Sequence, residues 1–213
     1  MPDWFRSESW DRESFEQRLA RARPHSRPQY LKIQGLTFLE SGRPELQPIA
    51  IELLERVYAD ESEEAAFERP TAPEYLGQAY EAAEDFQRAA SLYLEAIERQ
   101  RAGNQKGTPE LRLGAMVVRE RLSSYYRTAF EILTDPALDS DAWFDSQRFE
   151  RAKCVAFLAE LLGEQAIARE SAADALSIAT ARTGPQFRRH PTVGLIVTDK
   201  ATLKALSRIG SSN

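Results

Sequence analysis

Apolar residues recur at helical spacing along most of the chain, and short loop-forming stretches interrupt them. The clearest case is 73–100, where two amphipathic segments carry small and aromatic residues at regular intervals. Gly77 and Ala89 have little bulk, so two helix axes can approach to about 8–10 Å beside them. Aromatic side chains can then fill the neighbouring gaps. The pattern predicts a helical hairpin over 73–100.

Further helices are predicted on both sides of this hairpin. Ser9 or Asp11 can cap a short helix that runs to about Ala22. Pro24 and Pro28 are expected to break the chain after it. The remaining predicted helices are 29–40, 48–58, 110–133, 143–162, 165–180 and 199–210. A mostly α-helical fold follows, with 110–133 as one long helix or as two with a kink near residues 123–124.

The last stretch of the chain differs in character from the helical part. Residues 193–197 are β-prone, and 199–210 has the spacing of a short helix with Leu203, Leu206 and Ile209 facing inward. A stack of repeats needs a cap over its last hydrophobic layer. We expect the tail to provide this cap, and the alternative is that it extends into a second copy of the chain or along the groove.

The central hairpin carries its residues in an order typical of one repeat family. The order is Leu-Gly, Tyr, Ala, aromatic, Ala, supplied by Leu76, Gly77, Tyr80, Ala89, Tyr93 and Ala96. In this respect the segment resembles the tetratricopeptide repeat (TPR) family. The resemblance implies a single all-α domain over 1–213, a solenoid of about three to four hairpins. Its parts would be a capping segment over 1–28, the hairpins over 29–182 and a tail over 183–213.

The spacing between hairpins departs from the standard family. Gly35, Gly77, Gly114 and Ala156 are taken as equivalent positions, and successive members are 42, 37 and 42 residues apart. These steps exceed the 34-residue TPR unit. The predicted array is therefore divergent, with extended helices.

Charge is unevenly placed along the chain, although the net charge is −5. Residues 45–98 carry fourteen acidic residues against three arginines, whereas 1–32 carry seven basic against five acidic residues. Residues 182–208 carry six basic residues against Asp199. The acidic middle is interpreted either as ordinary solvated helix faces or as a surface for a basic partner. The net charge argues against nucleic acid as the partner, although the basic ends leave an RNA-binding regulatory role as an alternative.

Catalytic and metal-binding motifs are missing from the sequence. His25 and His190 are its only histidines, and neither has a ligand-type residue at helical spacing. Cys154 lies among apolar neighbours and is interpreted as a buried hydrophobe rather than a nucleophile. Neither a phosphate-binding glycine loop nor a Gly-x-Ser-x-Gly motif occurs. The sequence therefore predicts a protein that is not an enzyme and uses no cofactor or metal.

Apolar runs in the chain are short. None approaches the ~18 residues that a membrane-spanning helix requires, and the N-terminus lacks a basic segment followed by an apolar one. We expect a cytoplasmic protein with no membrane contact.

The TPR resemblance also implies where a partner would bind. In that family the first helix of each hairpin lines a concave groove. Carried over to this chain, the predicted partner-binding residues are Gln29, Lys32, Glu74, Gln78, Glu81 and Arg119. Because only Lys32 and Arg119 are basic, the family's clamp for a partner's C-terminal carboxylate is not reproduced.

The groove so predicted suits a basic or amphipathic segment of a protein or peptide. The first function inferred is therefore a protein–protein interaction module. An immunity or antitoxin-like inhibitor of a basic toxin is an alternative within this class. Aromatic residues near the N-terminus, if exposed, also make a homodimer a candidate.

Overall fold

The computed structural model describes residues 4–103, 107–138, 144–181, 189–190 and 192–211. Within these ranges the chain forms α1 (Arg12–Arg21), α2 (Arg27–Glu40), α3 (Gln47–Tyr58), α4 (Ala72–Ala82), α5 (Phe86–Ala102), α6 (Pro109–Arg119), α7 (Tyr126–Thr134), α8 (Asp145–Leu162), α9 (Gln165–Ala181) and α10 (Lys200–Gly210). The predicted all-α fold is confirmed.

The chain divides into two compact units, Met1–Pro109 and Glu110–Asn213. In the first unit α2 packs on α3, α3 on α4, and α4 on α5, so helices that follow one another in sequence are neighbours in space. In the second unit α7 packs on α8 and α8 on α9, while α10 packs on both α8 and α9. The single domain expected from the sequence stays a prediction.

The aromatic residues near the N-terminus pack inside the first unit. The Phe5 ring stacks on Tyr30 with centroids 4.3 Å apart, and Trp10 meets Phe38 edge to face at 5.4 Å. Phe5 and Phe38 belong to a buried cluster with residues of α1, α2 and α3. These aromatics are therefore packed into the core of the first unit, and they give no support to the expected homodimer.

Most helix boundaries follow the predicted start and stop signals. Asp11 caps α1 by accepting a hydrogen bond from the Ser14 N–H at 3.1 Å. Pro28 was expected to break the chain, but it lies in the first turn of α2, where its missing N–H has no helical partner to lose. The predicted start at Trp143 lies outside the described residues. Gly163 ends α8 in the left-handed conformation, with φ of 80°.

The stretch 110–133 forms two helices rather than one. α6 ends at Arg119, and Arg121 adopts the left-handed conformation with φ of 54°. A 3-10 turn over Ser123–Tyr125 then leads into α7. The alternative with a kink near residues 123–124 is the correct one.

The tail ends in the expected helix, whereas residues 193–197 before it do not form a strand. Asp199 caps α10 by accepting from the Thr202 N–H at 2.7 Å. Leu206 and Ile209 are buried as expected, whereas Leu203 is only half-buried. The β-prone residues 193–197 follow one another through a turn and irregular backbone instead. Leu195 and Val197 are 37% and 85% exposed, and β propensity without burial against a neighbouring strand does not form a sheet.

Gly35, Gly77 and Gly114, which were taken as equivalent positions, lie where the two helices of a hairpin are in close contact. In each case the glycine lies on one helix and meets a side chain of the next helix. An added Cβ would lie 2.9 Å from Leu54 at Gly35, 2.8 Å from Tyr93 at Gly77 and 2.6 Å from Leu133 at Gly114. Real Cβ atoms do not pack so closely in protein interiors, so these positions admit only glycine without rearrangement.

Candidate functional site

A surface cleft of about 420 Å³ lies among α3, α4 and α5. Leu76 and Leu92 supply buried apolar lining. The other lining residues are Glu55, Tyr58, Ala59, Arg88, Ser91 and Glu95. We call this site the α3–α5 cleft. The cleft has an apolar lining with carboxylates beside it, a combination typical of sites that hold a bound group in a fixed orientation.

One carboxylate of the cleft is fixed by a tyrosine and an arginine, each from a different helix. The Tyr80 hydroxyl of α4 donates to Oε1 of Glu55 on α3 at 2.5 Å. Arg88 of α5 lies over the Tyr80 ring, with 4.1 Å from Cζ to the centroid, and its guanidinium is 3.5 Å from Glu55. Burial, followed by the hydrogen bond to Glu55, raises the pKa of Tyr80 to about 12. We call these three residues the Tyr80 arm.

The second carboxylate has the same kinds of neighbour. The Tyr58 hydroxyl donates to Oε2 of Glu95 at 2.9 Å, and Arg99 pairs with Oε1 of Glu95 at 2.5 Å. The Arg99 guanidinium also lies over the Tyr58 ring at 5.2 Å. Burial, followed by the bond to Glu95, raises the pKa of Tyr58 above its usual value. Tyr58, Glu95 and Arg99 form the Tyr58 arm.

The two arms hold their arginines differently. The Arg88 side chain is 58% exposed and its closest ion-pair distance is 3.5 Å. The Arg99 side chain is 32% exposed, its ion-pair distance is 2.5 Å, and it also donates to the Arg69 carbonyl at 3.2 Å. Ion pairs this accessible to water stabilise a fold by only about 0–1 kcal/mol. Arg88 is therefore the more weakly held of the two.

Two of the residues predicted from the TPR resemblance lie on α2. Gln29 is exposed near the start of the helix. Lys32 pairs with Glu68 at 2.6 Å, and their side chains are only 15% and 5% exposed. The Lys32 ammonium also lies 5.3 Å from the centre of the Tyr75 ring. The charge of Lys32 is thus matched inside the first unit.

Glu74 is also turned inward, with an exposed fraction of 4%. Its carboxylate accepts from Nε2 of Gln100 at 2.9 Å and from the Thr108 N–H at 3.2 Å. Gln100 in turn accepts from the Gly107 N–H at 2.5 Å, and a Cβ on Gly107 would overlap the Glu74 carboxylate. This network ties the segment after α5 back to α4, so Glu74 has a structural role in this conformation.

The other three predicted residues are not gathered with these into one site. Gln78 is half-buried on α4. Glu81 accepts a hydrogen bond from the Tyr93 hydroxyl across the α4 and α5 hairpin. Arg119 is exposed, pairs with Glu120 at 2.6 Å, and belongs to the second unit.

Sequence reasoning missed the carboxylates of the α3–α5 cleft. Tyr80 was recognised as a packing residue of the hairpin, but its partner Glu55 lies 25 residues earlier. Tyr58 and Glu95 are 37 residues apart. The available signal was the acidic stretch 45–98, which points to this part of the chain without singling out either glutamate.

Groups suited to catalysis are sparse in the described part of the chain. No cluster of three or more His, Cys, Asp or Glu side chains there could hold a metal ion. Cys154 is fully buried, as expected, and burial raises the pKa of its thiol, which favours the protonated form over the nucleophilic thiolate. Among the same residues, no helix combines the length and apolarity needed to cross a membrane.

Comparisons with protein-family models, with curated proteins and with solved structures found no match. The function inferred for this chain therefore comes from the chemistry of its own surfaces.

Proposed function

We propose that this chain is a non-enzymatic protein–protein interaction module that binds a basic segment of a partner protein. The binding surface is the α3–α5 cleft, and the fold is a divergent TPR-like solenoid. The observation that carries the proposal is the cleft itself, where Glu55 and Glu95 are held at the edge of an apolar pocket by tyrosine hydroxyls.

The chemistry of the cleft suits a segment with both apolar and basic side chains. An apolar side chain fits against Leu76 and Leu92, while basic groups beside it reach Glu55 and Glu95. The acidic stretch 45–98 surrounds these carboxylates in sequence, and its charge favours the approach of a cation. An amphipathic helix docked in a groove combines these contacts.

The TPR-like arrangement has two supporting observations. Helices α2, α3 and α4 each pack on the next helix in the chain, as stacked hairpins require. Gly35, Gly77 and Gly114 each lie on one helix and contact the helix that follows. The predicted contacts Gln29 and Gln78 are not among the residues that line the cleft, and Lys32, Glu74 and Glu81 already have partners inside the unit.

A blocked cleft tests this function. Ser91 is an exposed residue of the cleft wall, so Ser91→Trp fills the cleft without disturbing the core. Ser177→Trp places the same side chain at an exposed position of α9 and serves as the matched control. The measurement is affinity purification of the tagged variants from the native host after cross-linking, with quantification of co-purified protein and of absorbance at 260 nm.

We expect a stoichiometric protein partner with the wild-type chain and with Ser177→Trp, and its loss with Ser91→Trp. A partner retained by Ser91→Trp would place the binding surface elsewhere. Nucleic acid in place of protein would favour the RNA-binding alternative.

A further inference from the structure

The Tyr80 arm already holds a guanidinium group, that of the chain's own Arg88. The group lies over the Tyr80 ring at 4.1 Å and faces Glu55 at 3.5 Å. An aromatic face beside a carboxylate is a favourable environment for a guanidinium, because the flat cation stacks on the ring while its N–H groups donate to the oxygens. The contact made by Arg88 thus shows which ligand chemistry the arm accepts.

Arg88 itself is poorly anchored at this position. It is the third residue of α5, whose N-terminal end carries a partial positive charge that disfavours a cation. More than half of its side chain is exposed. The side chain can therefore leave the arm without unfolding any element.

Glu55 has acceptor capacity left in the described structure. Its contacts with Tyr80 and Arg88 are both made by Oε1. The second oxygen, Oε2, can accept from an incoming donor while the tyrosine hydroxyl keeps the carboxylate in place. The arm is thus preorganised for an incoming guanidinium that replaces that of Arg88.

We propose that the Tyr80 arm is an arginine-binding subsite, which Arg88 occupies in the free protein and an arginine of the partner's basic segment takes over on binding. This inference rests on the proposed function, because it concerns the same cleft. Lysine is a poorer ligand for the subsite, since a compact ammonium cannot stack on Tyr80 and donate along the carboxylate edge in the same way. Arg88 acts as an internal competitor that lowers the affinity for any incoming cation, whereas the Tyr80 ring and the Glu55 carboxylate give the preference for arginine.

The test uses fluorescence anisotropy with a labelled amphipathic peptide of about three helical turns, built from Leu, Ala and Arg. A second peptide carries Lys in place of Arg, and a third carries Gln. The protein variants are Arg88→Ala, Glu55→Gln and the control Arg12→Ala. Arg12 is a matched control because it is an exposed arginine that pairs with a glutamate, Glu52, and lies near an aromatic ring, Trp10.

Arg88→Ala is expected to tighten binding of the Arg peptide about threefold by removing the competitor. Glu55→Gln is expected to weaken it about fivefold and to reduce the preference for Arg over Lys. Arg12→Ala changes the net charge by the same amount as Arg88→Ala and should leave the affinity unchanged.

Three other outcomes would contradict one or both of the proposals. If Arg88→Ala and Arg12→Ala tighten binding of the Arg peptide equally, the effect comes from net charge alone and the arginine-binding subsite is wrong. If the Arg peptide binds and Ser91→Trp abolishes binding, while Arg88→Ala and Glu55→Gln change nothing, the subsite is wrong and the proposed function stands. If none of the peptides binds either the wild type or Arg88→Ala, both proposals fail.

Discussion

The two units of this chain bury different kinds of side chain. Buried polar or charged residues occur in the described part of the first unit only, and they are Gln34, Glu68, Thr71, Glu74 and Gln100. In the second unit, α8 and α9 instead bring together small apolar residues, among them Ala156, Ala159, Ala168 and Ala172. Tyrosine-to-glutamate hydrogen bonds between helices are likewise found in the first unit.

This difference indicates which unit holds charged side chains in fixed positions at its surface. A buried polar group is destabilising unless it has a hydrogen-bond partner, so each satisfied pair fixes one relative placement of two helices. In the first unit those pairs also orient Glu55 and Glu95 at a surface cleft. Small-residue contacts such as those of α8 and α9 give close packing but place no charge. The proposed binding function accordingly belongs to the first unit.

The largest effect is expected from breaking the buried ion pair of the first unit. Lys32→Met leaves the Glu68 carboxylate, with its side chain 5% exposed, without its cation. The free energy of unfolding measured in urea should fall by about 3 kcal/mol. The control is the exposed pair Arg127 and Glu164 of the second unit, at 3.3 Å, where Arg127→Met should change stability by less than about 1 kcal/mol. Similar losses at the two sites would contradict the contrast between the units.

A somewhat smaller loss is expected from filling the glycine contact of the central hairpin. In Gly77→Val the Cβ would lie 2.8 Å from the Tyr93 ring, which is itself fully buried and cannot move aside. We expect a loss of about 2 kcal/mol in urea unfolding. Gly210→Ala is the control, because its Cβ would lie 4.0 Å from the nearest side chain, that of Ala172. A Gly77→Val protein as stable as the wild type would show that the hairpin is not closely packed there.

Such packing contacts could be predicted from the sequence to a large extent. Helical periodicity predicted most of the helices. The small residues around Gly77 predicted a close approach of two helices, and the structure shows that Tyr93 makes the contact there. Periodicity reports which face of one helix is buried, but not which residues of two helices meet. Glu74 is therefore predicted as a partner-binding residue, because periodicity does not reveal its internal partners Gln100 and Thr108, which lie 26 and 34 residues away. The sequence analysis missed Glu55 and Glu95 for the same reason, because their partners Tyr80 and Tyr58 lie 25 and 37 residues away along the chain.

The smallest effect concerns the hydroxyl of the Tyr80 arm. The folded pKa of Tyr80 is about 12, against 10.0 for an unperturbed tyrosine. Because the folded value is raised, its contribution to stability is fully present below pH 10 and is lost as the pH rises toward 12. Between these pH values the unfolding free energy of the wild type should fall by up to about 2 kcal/mol more than that of Tyr80→Phe. Parallel pH profiles for the two proteins would mean that the hydroxyl does not hold Glu55.

The central claim is that the α3–α5 cleft binds a basic amphipathic segment. The most direct measurement is an NMR titration of the isotope-labelled full chain with the peptide of Leu, Ala and Arg, following the backbone amide signals. We predict saturable shifts concentrated at the residues that line the cleft, on α3, α4 and α5, and their loss in Ser91→Trp. Shifts centred in Glu110–Asn213, or equal shifts in Ser91→Trp, would contradict the claim.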